Sequence, residues 1–189
     1  VPNEDDTPVA AINRTTDAID KLKNMRLLRA NSPRLRIAAG LRSIAQIGLV
    51  QDAIHAQLIF QLLNDVRAHK QLDWQYCADE LGNILGAIEW AAGQNRWTDV
   101  ILLGRAIDPY LTLRGLWDAW RSVLDRILQA AHSIGDRSIE AWALHQIGTQ
   151  TLGSDNKPRA MDFFRQALSL RQALGDTVGE AYTQHNLDV

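Results

Sequence analysis

Gly135-Asp136-Arg137-Ser138-Ile139-Glu140-Ala141-Trp142 returns forty residues later as Gly175-Asp176-Thr177-Val178-Gly179-Glu180-Ala181-Tyr182. The agreement runs on through His145/His185 and Ile147/Leu187, and backwards to Leu128/Leu168. Self-similarity at this period is the signature of stacked helical hairpins, in which each unit buries its apolar face only against its neighbours. Such arrays present an extended surface and seldom carry out chemistry, so a binding function is the first expectation.

Working outward from that pair, the apolar spacing predicts helices throughout. Residues 97–113 and 116–134 form one hairpin around Arg114-Gly115, residues 136–152 and 157–174 a second, and residues 176–187 open a third. Gly135 and Gly175 suit the left-handed position after a helix, and Asp136 and Asp176 suit the cap of the next. Glu140 and Glu180 fall one residue late for a capping box. Pro109 lies inside a predicted helix and should kink or end it. Upstream, helices are expected over 9–30, from Ser32-Pro33 through Ala45, over 52–66 and over 74–92. No segment reads as a period-two strand, so the predicted class is all-α.

Composition agrees with a folded, helix-rich chain: 46 % of the 189 residues are hydrophobic and five are Pro. A net charge of -2 excludes polyanion binding by bulk charge. Cys77 is the single cysteine, which precludes an intramolecular disulfide and suits a reducing cytoplasm. No apolar run approaches the roughly 20 residues that span a bilayer, so no membrane partner is expected. The first residues, Val-Pro-Asn-Glu-Asp-Asp, lack the basic and apolar regions of a signal peptide. Residues 1–8 read as a linker, 9–75 as an atypical N-terminal helical cap and 76–189 as repeats. The last repeat is expected to be truncated, since the chain stops inside its first helix; such an unfinished end would favour self-association.

The unit that starts at Ala141 resembles a tetratricopeptide repeat. Small or aromatic positions fall on Gly148, Ala160, Phe164 and Ala167, and large apolar ones on Leu144 and Ile147. Thr151 stands where Tyr is usual and Gln172 where Pro is usual. In the preceding unit Asp108 occupies the tight Gly place, and Asp188 does so in the last. A longer stretch, Glu80-Leu81-Gly82-Asn83-Ile84-Leu85-Gly86-Ala87-Ile88-Glu89-Trp90-Ala91, is similar to a segment of bacterial signal-transducing NTPases of the STAND class. In that class a helix of the form Glu-x-x-Asn-Leu-x-x-Ala-x-x-Trp-Ala leads into tetratricopeptide repeats. Tyr110-Leu111-Thr112-Leu113-Arg114-Gly115-Leu116-Trp117 is similar to that region as well. The resemblance implies a right-handed superhelix of antiparallel helix pairs that binds a protein, peptide or small molecule and regulates an upstream NTPase. A stand-alone peptide-responsive regulator or adaptor, or the sensing part of a transcription activator, is the alternative.

No catalytic grouping is legible. None of the lysines Lys21, Lys23, Lys70 and Lys157 follows a Gly, so no P-loop is present. The histidines form no His-x-x-x-His pair, Cys77 has no second thiol for a zinc site, and His69 with Cys77 reads as incidental. Neither an enzyme activity nor a cofactor or metal is expected.

Two binding surfaces are. In the repeat family the groove-facing side of each leading helix contacts the ligand; here that side carries Trp142, His145, Thr149, Tyr182 and His185. Between Lys21 and Gln51 there are seven basic residues and no acidic one, whereas residues 52–189 hold twelve basic and seventeen acidic. Arg26, Arg29, Arg34, Arg36 and Arg42 therefore form a basic docking patch for an acidic surface, its own NTPase domain included. Nucleic acid is not expected, because no aromatics interleave for base stacking.

Overall fold

The computed structural model describes residues 20, 28–31, 34–37, 63–64, 74–153 and 156–188. The chain divides into two units, Val1–Asp52 and Ala53–Val189.

In the first unit, β1 (Leu28–Asn31) and β2 (Arg34–Ile37) form an antiparallel pair. This corrects the helices expected to end near Ala30 and to restart at Ser32. The physical reason is short-range: Leu28-Arg29-Ala30-Asn31 and Arg34-Leu35-Arg36-Ile37 both alternate, and Pro33 biases the residue before it toward extended backbone. The register sets Arg29 opposite Arg36 and Asn31 opposite Arg34, so three of the five basic-patch residues are strand residues. Arg26 and Arg42 lie outside the described residues. So does most of the span 9–66 expected to be helical, in which only Asp20 and residues 63–64 are described besides the two strands.

In the second unit the described elements are all helical: α1 (Trp74–Gly93), α2 (Trp97–Leu113), α3 (Trp117–Ile134), α4 (Arg137–Gly153), α5 (Lys157–Leu174) and α6 (Thr177–Leu187). None is long and apolar enough to cross a membrane. The five helices after α1 start at Trp97, Trp117, Arg137, Lys157 and Thr177, at intervals of twenty residues. The underlying unit is therefore one helix plus its turn, and the forty-residue repeat is two of them.

That spacing is written into the turns. Asn95, Gly115, Gly135 and Gly175 adopt positive φ of 57–71°, a conformation that costs least for Gly and Asn. The next backbone N–H in each case (Arg96, Leu116, Asp136, Asp176) reaches back 2.8–3.0 Å to a carbonyl five residues earlier, closing the helix as in a Schellman motif. Asp136 then accepts from the N–H groups of Ser138 and Ile139, and Asp176 from that of Gly179. Glu140 and Glu180 act differently from caps. Glu140 lies 3.0 Å from His132, and Glu180 accepts from Gln172 at 3.1 Å, so each carboxylate clamps its helix to the one before. Pro109 does not end α2, which runs on to Leu113.

Each helix packs on its sequence neighbour, most extensively α4 on α5, and α1 also reaches α3. Buried residues on α3 (Trp120, Val123, Leu124, Ile127, Ala130, Ala131) show the three-to-four spacing of a helix covered along one stripe. Close approach is arranged by exchanging large and small residues across each hairpin. A Cβ on Gly148 would lie 2.7 Å from the Phe164 ring. A Cβ on Gly104 would lie 2.6 Å from Ile127, whereas forty residues on the same two places hold Leu144 and Ala167.

Asp108, anomalous in the tight Gly place, is explained by Trp120, which stands where the next unit has Ala160. Its indole Nε1 donates to Asp108 at 2.6 Å in the core, and Gln146 Nε2 donates to the other carboxylate oxygen at 3.2 Å. Burial raises the Asp108 carboxyl above its ordinary range, and these two donors and nearby Arg105 pull it back.

Candidate functional site

Helix α4 turns Ala143, Leu144, Ile147 and Gly148 into the packed interior, and keeps Trp142, Thr149 and Leu152 on the opposite side, partly or largely uncovered. The equivalent positions on α2 and α6 repeat this face, and α2 meets α4 through Arg105 with Trp142 and Asp108 with Gln146. The Arg105 guanidinium carbon of α2 lies 5.1 Å from the Trp142 ring centroid, a cation–π stack. On the far side His145 meets α6 at Thr183 and Asn186.

The five groove residues expected from sequence separate into different environments. Trp142 is half-buried under Arg105. Thr149 uses its hydroxyl on its own helix, donating to the His145 carbonyl at 3.2 Å. Tyr182, 68 % exposed, and His185 line a shallow apolar depression on α6 with Thr177, Val178 and Ala181.

His145 belongs to the joint between α4, α5 and α6. Its ring centroid is 5.4 Å from that of Phe164, Nδ1 is 3.3 Å from Thr183 Oγ1 and Nε2 is 3.5 Å from Asn186 Nδ2. Thr183 donates to the Gly179 carbonyl, so its oxygen accepts from Arg171 and from His145. The network assigns the proton of a neutral ring to Nδ1 and leaves Nε2 to accept from Asn186. A second ring proton would abolish that acceptor and set a cation beside Arg171. Burial first, and then the Arg171 charge, accordingly lower the His145 pKa to about 4.

The sign of the pH effect follows. Between the ordinary value of 6.5 and about 4 the unfolded chain holds a proton on this imidazole that the folded chain refuses. The stabilisation is therefore complete above 6.5 and is lost as the pH falls toward 4. For a half-buried ring it should amount to about 1–2 kcal/mol after solvent screening. We expect wild-type stability to fall more steeply than that of His145→Gln between pH 6.5 and 4, measured by urea unfolding at several pH values; parallel profiles would contradict the assignment.

Arg171 is the site residue that sequence reading missed. It is 7 % exposed and donates through Nη1 to the Gly179 carbonyl at 2.6 Å and to the Thr183 hydroxyl, with Asp176 at 3.8 Å from Nε. A Cβ on Gly179 would sit 2.8 Å from Arg171 Nε. One repeat earlier the corresponding places are Ala131, Ile139 and Ala143. The α3–α4 joint is thus apolar where the α5–α6 joint is polar, with three positions changed together. The signal was present as a departure from the repeat, since Arg stands where Ala is expected.

Cys77 is buried in the core of α1, and His69 lies outside the described residues. Among the described residues no group of three or more His, Cys, Asp or Glu side chains converges closely enough to hold a metal ion. Comparisons with protein-family models, with curated proteins and with solved structures found no match.

Proposed function

We propose that residues 74–188 are a tetratricopeptide-like solenoid whose uncovered stripe on α2, α4 and α6 binds a peptide or protein segment, without catalysis. In the larger context implied by the motif at Glu80–Ala91, it is the sensing arm of a bacterial signalling protein and biases an upstream STAND-type NTPase. The observation that supports this reading is the stripe itself. The three most exposed large apolar residues described, Leu113 at 72 % and Val178 and Tyr182 at 68 %, are on leading helices, as is Leu152; Trp74, Trp117, Ile134 and Leu174, exposed to a lesser degree than those three, are on the other helices. Large apolar side chains left in water on successive repeats are what a ligand-binding face requires. Coupling to the NTPase would follow from a difference in ligand affinity between its two states.

The test is selection of random dodecapeptides displayed on phage against the whole chain. Peptides that bind wild type should lose about tenfold or more in affinity for the double variant Leu113→Ser, Tyr182→Ser, a size expected when two anchor side chains are removed. Far-UV circular dichroism of that variant should match wild type, because both side chains are exposed. Recovery of no peptide, or of peptides indifferent to both substitutions, would refute a binding face here. In the larger protein, a selected peptide should change the rate of ATP turnover.

A further inference from the structure

We infer that the α5–α6 joint is a latch that closes only on an uncharged His145. A proton on this ring frees α6 and with it the part of the binding stripe that α6 carries; the stripe's share in this rests on the reading proposed above. The way α6 is held points there first. Its two buried residues are Gly179 and Thr183, and polar groups hold both. Arg171 of α5 donates to the Gly179 carbonyl and the Thr183 hydroxyl, and His145 of α4 donates to that same hydroxyl. No large apolar side chain of α6 is buried: Val178 and Tyr182 are largely exposed and Leu187 is partly covered. Helix α6 is thus docked by hydrogen bonds rather than by an apolar stripe, and such a network favours opening as soon as one member loses its partner.

The charges around His145 decide what a second ring proton does. From α5 the ring faces Arg171, and from α6 it faces Thr183 and Asn186, neither of which titrates. Arg105 of α2 is a further cation, over Trp142 and so one turn away along α4. Asp176 lies 3.8 Å from Arg171 Nε but already accepts from the Gly179 N–H, and Glu180 is engaged with Gln172. Turning the Asn186 amide over would offer Nε2–H an acceptor, yet two cations would still share one joint. Detaching α6 lets both reach water. Burial and the Arg171 charge lower the ring's pKa to about 4, so the latch is closed at neutral pH and opens as the pH falls toward that value. The α3–α4 joint has no counterpart. Ala131, Ile139 and Ala143 stand there for Arg171, Gly179 and Thr183, and Arg105, in the place of His145, is exposed.

The experiment is amide hydrogen exchange of the whole chain at pH 7 and at about pH 4.5, with wild type and His145→Gln side by side so that intrinsic exchange cancels. Wild-type α6 should lose protection by about tenfold or more at the lower pH, while α1–α3 keep theirs. In His145→Gln, whose amide donates and accepts without charging, α6 should stay protected at both. Should that variant fail to fold, Asn186→Asp decides. It keeps the imidazole and gives the proton a counter-charge, so α6 should hold in acid. Equal loss of protection in all six helices, or an α6 loss that neither substitution prevents, would overturn the latch. A phage-selected dodecapeptide that needs Tyr182 should leave wild type at the lower pH and stay on His145→Gln. Its retention by wild type while α6 opens would overturn the gating of the stripe. Opening of α6 with no stripe-dependent peptide recovered would uphold the latch and refute the binding face.

Discussion

Phe164→Ala should destabilise the repeat region by about 3–5 kcal/mol, the range for truncating a fully buried aromatic. Phe164 is 0 % exposed on α5; its ring fills the space left by Gly148 and lies beside His145. Among the described helices α4 and α5 form the most extensive pair, so the truncation would act at the largest helix contact. The converse change, Gly148→Ala, forces a methyl to within 2.7 Å of the ring and should cost about 1–3 kcal/mol by overpacking. Combining Gly148→Ala with Phe164→Leu should recover most of that second loss, since the preceding unit already pairs a larger residue, Asp108, with Leu124 at these places. Urea unfolding gives the magnitudes. Amide hydrogen exchange locates them: in an array held by nearest-neighbour contacts, α5 and α6 should open first while α1–α3 keep their protection. Uniform loss across all six helices would show that the region unfolds as one block.

Arg171→Ala should cost about 2–4 kcal/mol, although it restores the residue that the preceding joint uses. The guanidinium is buried, and burial pulls its pKa below the usual value while Asp176 raises it. Removing it strips the Gly179 carbonyl and Thr183 hydroxyl of a charged donor and leaves a cavity. Gly179→Ile alone should be comparably harmful, because its side chain would meet the Asp176 carboxylate that caps α6 and then the Arg171 guanidinium. The triple variant Arg171→Ala, Gly179→Ile, Thr183→Ala reproduces the Ala131, Ile139, Ala143 joint. It should return to within about 1 kcal/mol of wild type, since well-packed apolar groups commonly replace a buried charge without loss. The measurement is the stability of all three variants. A triple variant as unstable as the sum of its single losses would show that the two joints are not interchangeable.

These two predictions also mark how far residue order alone could be read. Gly148 and Phe164 were legible as the small and the aromatic positions of a repeat; that the ring packs directly on this glycine came from the structure. Asp108 was legible only as a misfit. Its reason lies twelve residues on in Trp120 and thirty-eight on in Gln146, each on another helix. The strand pair at 28–37 was missed because two four-residue alternations are too short to outweigh the helical spacing around them. His145 was assigned to a groove by its place in the repeat, while the structure turns it toward Thr183 and Asn186. Arg105, forty residues earlier at the same place, stands in solvent and stacks on Trp142.

The sequence by itself located the helices of 74–188 to within about a residue at each end, the break expected at Pro109 excepted. That information is chemical and local: Gly or Asn takes a positive φ, Asp accepts the first free N–H groups, and both recur every twenty or forty residues. Only the tertiary structure decided which joint is polar and which apolar, and whether the fifth residue of a repeat faces water or a neighbouring helix. Those outcomes depend on residues 8 to 41 positions apart meeting across helix surfaces. The cost of burying Arg171 or His145 is set by what each finds there, and no local pattern along the chain carries that partner's identity.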